Sequence, residues 1–367
     1  MTLVPPYIKN LKNYVPGKSI DSVKNEFGLK NIYKLASNEN PNGPSKKALS
    51  AIKNSLESIH RYPDPSGFEL RNKLAQKFNL NIDNIVLGSG SEGIMSTIMR
   101  TFLNKGDEII TAKNSFIGFK VLANASGKKI HWVPMKNHRY DLKHMLKFVN
   151  KNTKIIYIAN PDNPMGTFVK QLEFEKFYSE IPKRVLIILD EAYFEYSKDL
   201  KNYPDSMNYR YDNIITLRTF SKIYGLAGLR VGYGFAHSNL IGNIMKVKEP
   251  FTPSLLGINA SIAALDDDAF LKESVKKNKI ELKRLKNKLD KMEIKNIPSS
   301  TNFITSIWPS IKIAKRINDL LLKKGIIVRH LAPFGWPKYV RFSIGNKHEN
   351  KALIDNLEIV IKKSLIK

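Results

Sequence analysis

Residues 155–166 read IIYIANPDNPMG, residues 185–193 read VLIILDEAY, and residues 214–222 read IITLRTFSK. Each opens with an apolar run of strand length and closes in a polar tail. A run without polar alternation belongs to a strand buried on both faces, as in a parallel sheet covered by helices. Similar runs predict strands at Ile85–Leu87, Glu108–Thr111, Lys129–Val133 and Arg230–Phe235, with helices between them such as Glu92–Leu103 and Gln171–Tyr178. The expectation is an α/β protein built on a mostly parallel sheet. After Pro250 and Pro253 the texture changes. Lys-rich amphipathic helices there flank short strands near Asn302–Ser306, Ile326–Val328 and Val340–Ser343, which reads as a smaller α+β domain. Pro5, Pro6, Pro16 and Gly17 interrupt the leading stretch. The expected division is an N-terminal arm, residues 1–33, a large domain, 34–250, and a small domain, 251–367.

The chain has 367 residues, of which 42% are hydrophobic and 25% charged, with no cysteine. That length implies roughly two or three units of about 100–200 residues. Zero cysteines exclude disulfides, iron–sulfur clusters and thiolate zinc sites. Val185–Leu189 is typical of the longest apolar runs, against the roughly 18 residues that span a bilayer. The opening MTLVPPYIKNLKNY lacks the basic-then-apolar pattern of a secretory signal. A soluble, cytoplasmic chain with no membrane partner is expected.

Sixty Lys+Arg against 33 Asp+Glu give a net charge of +27. Such a surface attracts nucleic acid. The lysines are nevertheless dispersed, and no basic tail, Cys/His finger or basic–aromatic signature accompanies them. The densest run, Lys276–Lys291, places Leu282, Leu285, Leu289 and Met292 at helical spacing, so its lysines form the solvated face of a helix. No nucleic-acid partner is expected. The seven histidines include no close ligand pair, so no metal site is expected either. Asp266–Asp268 reads as the cap of a helix starting near Ala269.

Gly88-Ser89-Gly90-Ser91-Glu92-Gly93 follows a strand, opens a helix and matches the glycine pattern of dinucleotide-binding crossovers. That reading needs an acid at the far end of the next strand. Asp107 and Glu108 instead precede it, and Lys113 and Asn114 follow it. What remains is a Gly-rich turn whose helix N-terminus suits a phosphate. In an open α/β sheet the carboxyl ends of strands face the ligand crevice. Those ends supply Asn163, Asp190, Tyr193, Thr219, Ser221, Lys222 and Arg230. Between Phe220, Ile223 and Tyr224, the amine of Lys222 is expected to be partly desolvated, which would lower its pKa and make it a usable nucleophile. Taken singly, Asp190 could be a helix cap, Lys222 a solvated loop residue and Arg230 a surface ion-pair partner.

The order of these segments resembles the pyridoxal-phosphate aminotransferases of fold type I, and most closely the histidinol-phosphate aminotransferases. The resemblance runs from Asn13–Lys18 and Lys34–Pro41 through Arg61–Asp64, the Gly-rich turn, NPDNPMG, DEAY, TFSK and GLAGLRVGYG. It ends with Gly325–Arg329 and Arg341–Gly345. It implies pyridoxal 5'-phosphate (PLP) bound covalently by Lys222, which then serves as base and acid in the proton shift. Asp190 would pair with the pyridine nitrogen, and Asn163 and Tyr193 would hold the ring hydroxyl oxygen. Gly90, Ser91, Thr219, Ser221 and Arg230 would hold the phosphate, and Phe116 would stack on the ring. Tyr62 would reach the phosphate in a neighbouring subunit, which implies a homodimer. Arg341, Arg329, Asn38 and Tyr14 would contact substrate.

The resemblance implies amino exchange between L-glutamate and imidazole-acetol phosphate, yielding L-histidinol phosphate and 2-oxoglutarate in histidine biosynthesis. An aromatic amino-acid aminotransferase, or an amino-phosphate lyase or decarboxylase, is the alternative. Asp162 and Met165 depart from the usual Asn and Thr of this pattern, and the aromatic-rich Leu331–Pro337 suits the aromatic alternative.

Overall fold

The computed structural model describes residues 3–11, 13, 17–208 and 212–365. Among these residues the strands form three sheets. In chain order they are β1 (Tyr33–Lys34), β2 (Ile85–Ser89), β3 (Glu108–Ala112), β4 (Lys129–Val133), β5 (Thr153–Ala159), β6 (Leu186–Asp190), β7 (Ile214–Thr219), β8 (Val231–Phe235), β9 (Asn296–Ile297), β10 (Phe303–Ile307), β11 (Ile326–Ile327), β12 (Arg329–His330) and β13 (Tyr339–Ser343). The large sheet has the order β2-β8-β7-β6-β5-β3-β4. Only β8 runs against the rest. All seven expected strands are present in it.

The central strands carry apolar runs because both of their faces are covered. Every residue of β6 and β7 is buried, and Ile155–Ile158 of β5 form the floor of the same core. The helices Gly90–Phe102, Ile117–Ala125 and Gln171–Ser179 pack against it through Met95, Ile98, Phe119, Phe174 and Phe177. Burial of continuous apolar surface is the main stabilising term.

A second core lies around the four-stranded antiparallel sheet β12-β13-β10-β9. The helix Ile311–Lys323 buries Ala314, Ile317 and Leu321, one face at helical spacing, and Ser310 caps it by accepting from the Ile313 N–H. The helix Asp268–Lys291 begins at Asp267, whose side chain accepts from the Phe270 N–H, and buries Leu285 and Leu289. The acidic triplet is therefore a cap, with Asp266 and Asp268 paired to Lys73 and Lys77.

Two connections tie the cores together. β1 pairs in parallel with β11, and Leu35 is buried in the second core. The helix Leu255–Leu265 packs instead against Lys46–Ser55 on the large-sheet side. In the large sheet β2 through β7 are parallel, so their carboxyl ends share one edge, and the antiparallel β8 begins there. No helix among the described residues is long and apolar enough to cross a membrane.

Candidate active site

The strand ends converge as the sheet order requires. Ala159 of β5 lies opposite Asp190 of β6, Asp190 opposite Leu217 of β7, and Thr219 opposite Gly232 of β8. The loops that follow β5, β6 and β7 therefore bring together residues as far apart in sequence as Asn163 and Arg230. A pocket at this edge is lined by Ser91, Phe116, Asn163, Asp190, Tyr193, Thr219, Ser221, Lys222 and Arg230, with Glu92, Pro161 and Ala192.

One end of the pocket is built for an anion. The helix Gly90–Phe102 starts there without a side-chain hydrogen bond from Ser89, leaving its positive dipole end facing the pocket. Gly232 lets that turn lie directly on β8: a Cβ at Gly232 would stand 2.3 Å from both Gly90 C and Ser91 N. Arg230 adopts a left-handed backbone (φ 55°), unusual for a side-chain-bearing residue. From there its guanidinium donates to Ser221 Oγ at 3.2 Å, and Thr219 Oγ1 lies 3.0 Å from the same hydroxyl. Donors and positive charge thus surround one small volume.

The other end carries buried acid. Asp190 accepts from the Tyr157 hydroxyl at 2.7 Å and from the Ala192 N–H at 3.2 Å. Burial pushes its carboxyl up to about 6, against the opposing pull of the Tyr157 hydrogen bond, the Ala192 N–H and Lys222. Between the two ends stands Lys222, half-buried, with Nζ 3.4 Å from Ser37 O. Desolvation first, and then the positive charge of Arg341, bring its amine down to about 8; Glu39 opposes the change.

Tyr193 is buried beside the lysine and accepts from Asn38 Nδ2 at 2.8 Å. Asn38 is itself fixed by Ser343 on β13 and, through its carbonyl, by Asn302. Arg341 donates to Asn163 Oδ1 and to Ala36 O. It lies directly opposite Arg329 in the antiparallel pair β12–β13, and both are buried, at 4% and 7% exposure. Facing like charges in neighbouring strands are unfavourable on their own.

Tyr62 stands apart from this pocket. It is 81% exposed and stacks on Phe251 with ring centroids 4.4 Å apart. Tyr14 lies outside the described residues. The sequence reading did not single out Tyr157, Glu92, Asn302 or Ser343. A tyrosine inside an otherwise apolar strand is a usable signal, because a buried hydroxyl needs a partner. Asn302 and Ser343 had no such signal, since only the packing of the two cores brings them to Asn38.

Such a sheet edge, with a lysine between an anion cradle and a buried acid, belongs to the class I and II aminotransferases, whose family model matches residues 30–357. Across its whole length the chain is similar to histidinol-phosphate aminotransferase 2 of Carboxydothermus hydrogenoformans, at 39% identity over 98% of this chain and 99% of the relative. It is 37% identical to the histidinol-phosphate aminotransferase of Halalkalibacterium halodurans, over 99% and 98% of the two chains. The structure of the Sinorhizobium meliloti histidinol-phosphate aminotransferase in complex with pyridoxal-5'-phosphate superposes with a TM-score of 0.90. It shares 29% identity and covers 99% of this chain and 98% of its own. The chain belongs to the histidinol-phosphate aminotransferase family.

The cofactor is pyridoxal 5'-phosphate. The side chains present fit it: an anion cradle, a buried acid without a cationic partner at bonding distance, and an amine of lowered pKa between them.

Proposed function

We propose that this chain exchanges an amino group between L-glutamate and imidazole-acetol phosphate, giving L-histidinol phosphate and 2-oxoglutarate, as a homodimer in the cytoplasm. The observation that carries the substrate reading is the pair Arg329 and Arg341, in register on β12 and β13 and joined to the pocket through Asn163. Two adjacent guanidinium groups suit an anionic substrate group by paired, charge-assisted hydrogen bonds. The phosphate of one substrate and a carboxylate of the other would use them in turn.

In this reading Lys222 binds the cofactor and moves the proton at the substrate carbon. The cofactor, when bound, supplies a cationic ring that takes up the electron pair released at that carbon. Asp190 stabilises the charge on the ring nitrogen, and its Tyr157 hydrogen bond favours the ionised carboxylate this needs. Tyr193 and Asn163 orient the ring, Phe116 covers it, and Ser91, Thr219, Ser221 and Arg230 bind its phosphate with the N–H groups that follow Gly90, whose own N–H donates to Arg230 O at 2.9 Å. Asn38 positions Tyr193.

The same reading assigns the three-part organisation: an arm, residues 1–33, a large body, 34–250, and a small body, 251–367. Two exchanges cross it, β1 with β11 and the helix Leu255–Leu265 with Lys46–Ser55. The homodimer is supported by the exposed stack of Tyr62 on Phe251.

Competition among histidinol phosphate, phenylalanine, tyrosine and phosphoserine as amino donors tests the substrate. Histidinol phosphate should give the highest kcat/KM; preference for phenylalanine would replace the reading with an aromatic aminotransferase. Borohydride reduction should leave the pyridoxyl group on Lys222, and Lys222→Ala should abolish both labelling and exchange. A label on another lysine would overturn the assignment of the nucleophile.

A further inference from the structure

Asp162 lies in the loop after β5 and is 1% exposed. One carboxylate oxygen accepts from the Met165 N–H at 3.0 Å, and the other accepts from Ser115 Oγ. The backbone on either side is closed as well, by Asp162 N to Thr167 O and Gly166 N to Asp162 O, both 2.8 Å. Met165 belongs to the loop that carries Asn163. Ser115 belongs to the loop that carries Phe116. One buried carboxylate therefore joins the two loops that supply these pocket residues.

The donors behind Ser115 point the same way. The Ala159 N–H donates to the Tyr140 hydroxyl at 3.1 Å, and that hydroxyl lies 2.8 Å from Ser115 Oγ. With Asp162 ionised and taking the Ser115 proton, Tyr140 is the donor to Ser115. The chain of hydrogen bonds from Ala159 thus ends on Asp162 as its acceptor. Burial pushes the Asp162 carboxyl up to about 7, while Ser115, the Met165 N–H and Arg341 pull in favour of the ionised form and Asp190 opposes it. Asp162 immediately precedes Asn163 and, among the described residues, forms no ion pair at bonding distance; a buried acid of this kind costs stability.

We propose that Asp162 is a positioning residue for amino exchange, its carboxylate clamping the Asn163 and Phe116 loops at the separation that the cofactor ring requires. This rests on the aminotransferase reading above. Titration of the cofactor-free chain with PLP, read by absorbance, tests it together with kcat and KM. Asp162→Ala should weaken PLP binding and lower kcat by about tenfold to a hundredfold each, the value of a hydrogen bond to a charged acceptor. KM for the amino donor should move less than kcat, because Arg329 and Arg341 stay on their own strands, β12 and β13, where Arg341 still donates to Ala36 O. Asp162→Asn keeps an acceptor for one arm, and its amide can donate to Ser115 Oγ once the Ser115 and Tyr140 hydroxyls reverse, so it should restore part of the loss. Ser115→Ala, which cuts a single arm and leaves the loop backbone closed, should show the same pattern at about threefold to tenfold. An Asp162→Ala or Ser115→Ala chain that keeps wild-type PLP affinity and kcat while only its Tm falls overturns the proposal. So does an Asp162→Asn chain as impaired as Asp162→Ala. The wild-type chain's own capture of PLP on Lys222 tests the parent reading separately.

Discussion

A lysine amine is a nucleophile only when neutral, and the surroundings of Lys222 push it toward that form. Burial in the pocket, with Nζ 5.7 Å from the centre of the Tyr193 ring, removes water from it, and Arg341 adds a positive charge. With its amine at about 8, the neutral fraction should rise about tenfold per pH unit up to that value and then level off. Capture of PLP by the cofactor-free chain should follow this curve, measured by stopped-flow absorbance from pH 6 to about 10. An ordinary lysine would keep gaining rate beyond pH 10, so an unbroken rise would refute the desolvated amine. The linkage sign agrees. Between about 8 and the usual lysine range the unfolded chain binds more protons than the folded one, so the contribution of Lys222 to stability grows with pH there. At this scale the sequence was informative wherever a residue type is chemically costly to place. Lys222 and Asp190 stood at strand ends, where only a crevice rewards them. Asn38 was legible only through the resemblance, because its partners Tyr193, Asn302 and Ser343 come from elements far away in the chain.

Strands announce themselves by length and by what covers them. β5, β6 and β7 are five to seven residues long with apolar runs at their centres or starts, although Thr216 and the buried, ion-paired Arg218 interrupt β7, and they were readable directly. β1, β9 and β12 have two residues each, too few to establish any period, and they exist because a partner strand is already in place; β11 is as short but lies in the apolar run Ile326–Val328. The register of β12 against β13 was equally hidden. It is fixed by the intervening turn, where Leu331, Phe334 and Trp336 pack with Met165 and Tyr339. Yet that register is what makes Arg329 and Arg341 a pair. If the pair meets a substrate phosphate, Arg329→Gln should lower kcat/KM for histidinol phosphate by about tenfold to a hundredfold, a charge-assisted bond being worth about 1.5–3 kcal/mol. Phenylalanine, which has no phosphate, should lose far less. Equal losses for both donors, accompanied by a lower Tm, would make Arg329 a structural residue of the strand pair.

A whole molecule with a net charge of +27 repels its own copies, and that repulsion sets the terms on which a dimer can form. The opposing attraction must come from apolar surface. Tyr62 and Phe251 form an exposed aromatic stack, and Ile59, Leu56 and Phe68 are also exposed. Tyr62 would meet water in an isolated chain, although its sequence context resembles that of a residue serving a neighbouring cofactor site. Charge and apolar face make opposite demands on salt. Screening shortens the reach of the repulsion from about 30 Å at 0.01 M to about 8 Å at 0.15 M, while burial of aromatic surface is little affected. Dimerisation should therefore strengthen as salt rises over this range, measured by sedimentation velocity, and Tyr62→Ala should weaken it together with PLP retention. Mixing separates the shared site from a merely adhesive face. In a heterodimer of a Tyr62→Phe chain and a Lys222→Ala chain, one site combines the first chain's Lys222 with the second chain's Tyr62, and the other has neither. The mixture should regain PLP retention in that one site, above either parent alone. A chain that remains fully active as a dilute monomer, or a mixture no better than its parents, would place Tyr62 outside the site.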